Sequence, residues 1–194
     1  MGEPGNELDE ATESEDKKVA LLIAVLALFL ALSEAGAKKA EHHSTEKNIE
    51  ASDLYNFYQA KKVRATVVEA AAKAFEAISP TITDEKAKEG VEKQIGAWKT
   101  AVANFEHDTK HPEDSLERIQ ERAKETGEAR GRWNQRLEHF EFASGALQIS
   151  IVLASAAIIT GVPALAWGAG ALGIIGAALM AFGYFAPSVL PFLG

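Results

Sequence analysis

Few residues of this chain are spaced to do chemistry. His107 and His111 lie four apart, the separation at which two imidazoles share one face of a helix and can hold a metal. His111, however, precedes Pro112, which biases it away from helical geometry, and no third ligand lies nearby. His42 and His43 with Glu46 repeat the pattern no more strongly. Both groups read as solvated side chains, so no metal is expected. Cysteine is absent, which removes thiolate nucleophiles, disulfides and Cys-based metal sites. No nucleophile, base and orienting group can be assembled, so no catalytic residue and no cofactor are expected, and the chain reads as non-enzymatic.

Two polar residues fall inside otherwise apolar stretches. An ionisable group within a membrane helix is a functional candidate by default. Glu34 lies four residues before Lys38, which favours a local ion pair at the edge of a span over gating or proton carriage. Gln148 is an amide able to hydrogen-bond to a neighbouring helix. Tyr55, Phe57 and Tyr58 crowd three aromatics into four positions and cannot share one face, so some are exposed or meet another chain. Trp98 and Trp133 join them as interface candidates, as do Gly173 and Ala177 on a small-residue stripe.

The elements that must position these residues are set by charge. From Phe142 to Gly194 there is no Asp, Glu, Lys, Arg or His. Such a run suits a bilayer, whose hydrocarbon takes roughly 20 apolar residues per helix. It divides at Gly161-Val162-Pro163 into membrane helices over 142–161 and 165–186, with a short apolar tail over 187–194. Trp167 and Tyr184 bracket the latter helix as interfacial anchors. A further apolar run, Val19–Leu32, is about 21 Å long at 1.5 Å per residue. It reaches span length over 17–37, with Lys17, Lys18, Lys38 and Lys39 snorkelling at its ends. A cleaved signal peptide is the competing reading of this run, and both readings export the polar segment after it. Small-residue stripes at Ala20, Ala24, Ala27, Ala31 and at Ala146, Ser150, Ala154 point to close helix packing, within one chain or between chains.

The net charge of −8 is uneven. Residues 1–16 hold seven acids and no base, so −8 less −7 leaves −1 for the rest. One sign of charge and few large apolar side chains predict a disordered acidic tail over 1–16. No basic stripe exists, which argues against nucleic acid as a partner.

Residues 38–141 have helical periodicity throughout and no strand pattern. Ala51, Leu54, Tyr58, Lys61, Ala65, Val68, Ala72 and Phe75 alternate steps of three and four, a heptad seam interrupted by Lys61. Val91, Ile95, Trp98, Val102 and Phe105 form a second seam, and Leu116, Ile119, Ala123, Thr126, Arg130, Trp133, Leu137 and Phe140 a third. Breaks fall at Ser79–Thr83, with Thr83 or Asp84 as the next cap, and at Pro112. The chain leaves the bilayer near Lys39 and must return near Glu141, so only one break reverses it. The longer, less helical one at 79–83 is expected to reverse and Pro112 to kink; a further reversal near Gly127 and Gly131 is the alternative. The third helix is expected to run unbroken into the membrane.

The stretch from Ala51 to Lys61, ASDLYNFYQAK, set soon after a first membrane helix, resembles the bacterial membrane family called domain of unknown function 4337. Leu147-Gln148-Ile149, at the start of a C-terminal pair of membrane helices, does too, and the resemblance runs from about Lys17 onward. It carries over no activity. It implies an exported middle domain, because family members often have a basic turn between the last two helices. Here that turn, 161–168, has no base.

The expectation is therefore an all-α protein of the bacterial inner membrane: three transmembrane helices, with a projecting antiparallel coiled-coil domain between the first and second. Its N-terminus would be cytoplasmic and the helical domain exported. Its partners would be the lipid bilayer, further copies in a homo-oligomer, and a protein bound through the coiled coil. An oligomeric channel using Glu34, Gln148 and the glycine-rich last helix is the alternative.

Overall fold

The computed structural model describes residues 4–108 and 110–188, with side chains from Glu15 onward. The apolar tail expected over 187–194 lies outside the described residues beyond Ser188. Four α-helices account for the described chain: α1 (Pro4–Ile78), α2 (Glu85–Glu106), α3 (Leu116–Thr160) and α4 (Pro163–Phe185). No strand occurs among the described residues. Three of the helices, α1, α3 and α4, are long and apolar enough to cross a membrane.

Over the acidic segment 1–16, expected as a disordered tail, α1 begins at Pro4. Pro4 has the fixed φ of a first helical turn. The acids after it lie near the positive end of the helix dipole, and Glu and Ala are good helix formers. Adding turns to an existing helix costs no new nucleus.

Contacts divide the chain into two units, one of Met1–Thr45 with Arg130–Gly194, the other Glu46–Ala129. In the second, Glu76 pairs with Lys99, and Lys62 Nζ lies 4.0 Å from Glu106, so α2 runs antiparallel to α1. The reversal is a 3-10 turn, Ser79–Thr81, in which Thr81 Oγ1 donates to the Ile78 carbonyl at 2.7 Å. Asp84 caps α2 by accepting from the Ala87 amide at 3.1 Å. The seams fall inward: Ala51, Ala65, Ala72, Ile95, Leu116, Ile119 and Ala123 are buried, while Leu54, Tyr58 and Val68 are half-buried.

In the first unit α3 opposes α1. Ser33 Oγ donates to the Phe140 carbonyl at 2.9 Å, and Ser44 Oγ bonds Asn134 Oδ1. The partner of α1 is thus antiparallel in each unit. A single helix, α3, covers the whole of 116–160 without a break. It ends at Gly161, whose φ of 67° is the left-handed conformation that only glycine adopts freely, and its amide bonds the Ala157 carbonyl at 2.9 Å. Pro163 then opens α4, two residues before the expected start, because proline is suited to a first helical position.

Small residues set how closely these helices approach. A Cβ at Gly173 would collide with Leu26 of α1 and lie 3.2 Å from Ser150 Oγ; one at Gly176 would stand 2.8 Å from Leu147 Cγ. At Gly36 it would stand 2.9 Å from the Phe140 ring. Gly173→Leu is therefore expected to destabilise by about 1–3 kcal/mol through overpacking. Gly131→Ala, where nothing lies within 4 Å, should be neutral or stabilising by about 0.5–1 kcal/mol. Thermal melts in detergent followed by circular dichroism check both.

Candidate interaction surface

The residues singled out by sequence do not converge on one site. Tyr55 and Phe57 are half-exposed on α1 at 50% and 48%. Tyr58, on the seam of the same helix, is half-buried. Trp98 packs edge-on against Phe75, ring centres 5.2 Å apart, and ties α2 to α1. Trp133 is half-buried beside His43 at 4.5 Å, with the Arg136 guanidinium 4.7 Å over its ring. These two tryptophans serve packing within their own units. Gly173 is buried against Leu26 and Ser150 of the same chain; Ala177 is half-buried. Glu34 and Gln148 are exposed on their helices.

Lys61 shows how the seam tolerates a cation. Its Nζ donates to the Asp114 carbonyl and stands 5.9 Å from the Phe105 ring centre. Its stem stays in the seam while its head finds an acceptor and an aromatic face.

The histidine pair is separated by use. His107 Nδ1 lies 3.0 Å from Glu117, while the His111 amide donates to Asp108 Oδ1 at 3.0 Å. Among the described residues no group of three or more His, Cys, Asp or Glu is arranged to hold a metal ion. The Lys110 amide donates to the same Asp108 oxygen at 2.8 Å. Donation from His111 first, and Lys110 second, holds the Asp108 carboxyl below the usual carboxylate range. Glu69 is lowered likewise by its bond to Lys73 at 2.6 Å.

Two features were missed by sequence reading. The first is a buried polar layer in the first unit. His139, 1% exposed, bonds the Gln135 carbonyl through Nδ1 at 2.7 Å; that carbonyl only accepts, so Nδ1 carries the proton. Among the described residues its Nε2 and the Ser144 Oγ have no hydrogen-bond partner. Ser33 and Ser150 bond the carbonyls of Phe140 and Ala169 on neighbouring helices. Nothing in the spacing marks His139 as different from its solvated neighbours.

The second feature was readable. Ala60, Val63, Val67, Ala70 and Ala74 alternate steps of three and four on α1 and are all exposed, Val63 and Val67 at 62% each. Every exposed large apolar side chain described in the unit 46–129, from Ile49 to Ile78, lies on α1; α2 and this part of α3 present none. Within this unit the stripe is left uncovered.

The family described as Domain of unknown function (DUF4337) matches residues 15–186, and the chain belongs to it. None of the curated proteins and none of the solved structures matches the chain.

The Asp108 turn gives a prediction. A carboxyl lowered in the folded state contributes stability that is fully present above its unfolded value, about 3.9, and is lost as pH falls through the lower native value. A carbon-detected NMR titration should place the Asp108 midpoint below that of an unfolded Asp, and Asp108→Ala should remove the protection of the Lys110 and His111 amides from exchange.

Proposed function

We propose that this is a multi-pass integral membrane protein, not an enzyme, whose helical unit associates with further copies of itself, or with a protein partner, by coiled-coil packing along α1. The observation that carries this reading is the second apolar face of α1. One face, Ala51 to Ala72, is covered within the chain; the other, Ala60 to Ala74, is exposed. Apolar residues on alternating three and four steps, without a charge among them, suit a helix partner. The three long apolar helices and the uncharged run from Phe142 support membrane insertion. Gln148, exposed on an apolar helix, favours contact with another copy over contact with lipid, although one such hydrogen bond is typically worth only about 0.6 kcal/mol. A bacterial cytoplasmic membrane, with the N-terminus inside and the helical unit exported, is the placement that goes with this reading.

The channel alternative finds less support. Glu34 and Gln148 both face outward, and Gly173 and Gly176 are filled by neighbouring side chains.

Native mass measurement in detergent tests the association. The full chain is expected as an oligomer. Val63→Glu with Val67→Glu would bury unpaired carboxylates at the contact and weaken it at least about a hundredfold, with helicity unchanged. A strict monomer that retains no partner would overturn the proposal. Reporters fused after Thr83 and at the C-terminus should both land outside the cytoplasm if the helical unit is exported, since the last two membrane helices carry the chain in and out again.

A further inference from the structure

We infer that the first unit binds a phospholipid with a primary-amine headgroup in a cleft at the N-terminal end of its apolar helices. The inference rests on the membrane reading above. The cleft has a volume of about 540 Å³ and is built by three helices of that unit. This falls inside the roughly 300–1,000 Å³ typical of ligand sites. Val19 and Leu22 of α1, Ala157 of α3, and Pro163 and Trp167 at the start of α4 form an apolar wall. Glu15, Asp16 and Lys18, one turn earlier on α1, supply the charged part of the lining.

The lining is therefore amphipathic in the same sense as a membrane surface. Its charged residues come just before the apolar run begins, and its wall continues into outward-facing apolar side chains: Leu21 is 66% exposed and Ile159 84%. An acyl chain lying against the wall stays continuous with surrounding lipid, which a small soluble ligand does not. Trp167, 81% exposed, puts an amphipathic ring at the same level, as aromatic residues do at membrane interfaces.

Charge selects the headgroup. Two carboxylates and one ammonium give the lining a charge of −1. An anionic headgroup would be repelled. A zwitterion fits: its ammonium donates to Glu15 and Asp16 while its phosphate accepts from Lys18. Of the common zwitterions, ethanolamine has N–H donors for those carboxylates and choline has none.

The test uses the delipidated full chain in detergent, offered equal amounts of phosphatidylethanolamine, phosphatidylcholine and phosphatidylglycerol, with bound lipid read by native mass spectrometry. One phosphatidylethanolamine per chain is expected, preferred over phosphatidylcholine by about tenfold, the scale of one charge-assisted hydrogen bond. Glu15→Gln with Asp16→Asn should bring that preference to about one. Ala166→Trp, which fills the cleft, should remove the retained lipid. Equal retention of all three lipids by the unaltered chain, or an unchanged preference in the doubly neutralised chain, overturns the inference. The charge variants lie on an exposed turn, so they report even if the cleft-filling variant does not fold. Release of the chain from vesicles by alkaline carbonate would instead remove the membrane reading; a chain that stays inserted without headgroup preference removes this inference alone.

Discussion

A backbone carried through hydrocarbon has no water to bond, so each of its amides and carbonyls must find a partner inside the protein. In the membrane setting proposed above, the apolar part of this chain would satisfy that constraint with uninterrupted helices and would have to pack them without a hydrophobic gradient between helix and lipid. The answer is size complementarity. Phe140 stands against Gly36 and Gly183, Leu26 against Gly173, and Leu147 against Gly176. Each pairing lets a large side chain touch a neighbouring backbone, which gains dispersion contact. The serines follow the same logic. Ser33 and Ser150 hide their hydroxyls by donating to carbonyls on adjacent helices, so they cross-link the group at no cost in unsatisfied polarity.

The unit 46–129 is held differently. Its ion pairs, both the local ones such as Glu69 with Lys73 and Arg118 with Glu121 and those joining α1 to α2, Glu76 with Lys99 and Lys62 with Glu106, are exposed, and exposed pairs contribute little. Cohesion comes from narrow seams in which alanine alternates with larger residues, so that Ala65 and Ala72 admit neighbouring helices closely while Tyr58, Phe75 and Trp98 fill the flanks. Lys61 fits because its charge is delivered to the Asp114 carbonyl at the seam's edge, not left within it.

Much of this was legible because it is periodic. Steps of three and four located Ala51, Ala65 and Ala72 inside, and the absence of charge after Glu141 located the apolar helices. The break at Ser79 and the turn at Gly161 were visible as residues with restricted or unusual backbone. What escaped was decided by other parts of the chain. The start of α1 at Pro4 extends a helix that continues to Ile78, which the composition of the acidic segment does not reveal. Which neighbours Gly173 meets, here Leu26 and Ser150, does not follow from its stripe, because a small-residue stripe has the same appearance whether it meets its own chain or another. His139 is buried because α4 brings Gly183 to it, a Cβ there lying 3.2 Å from the His139 Cβ, and no local pattern encodes that approach.

The two faces of α1 bear on what can cover the exposed one. An ideal straight helix turns 100° per residue, so a stripe held to alternating three and four steps drifts by about 20° each heptad. A flat surface, or lipid, places no demand on that drift. A second helix does, because only a partner that winds with the stripe stays in contact along its length. The covered face from Ala51 to Ala72 keeps the alternating rule, and its partners are helices. The exposed face from Ala60 to Ala74 keeps the same rule over the same turns. A sequence under no demand but solubility would have scattered charge across those positions, as it does on α2 between Glu85 and Lys99. The regularity of an uncovered stripe is thus better accounted for by another helix than by water.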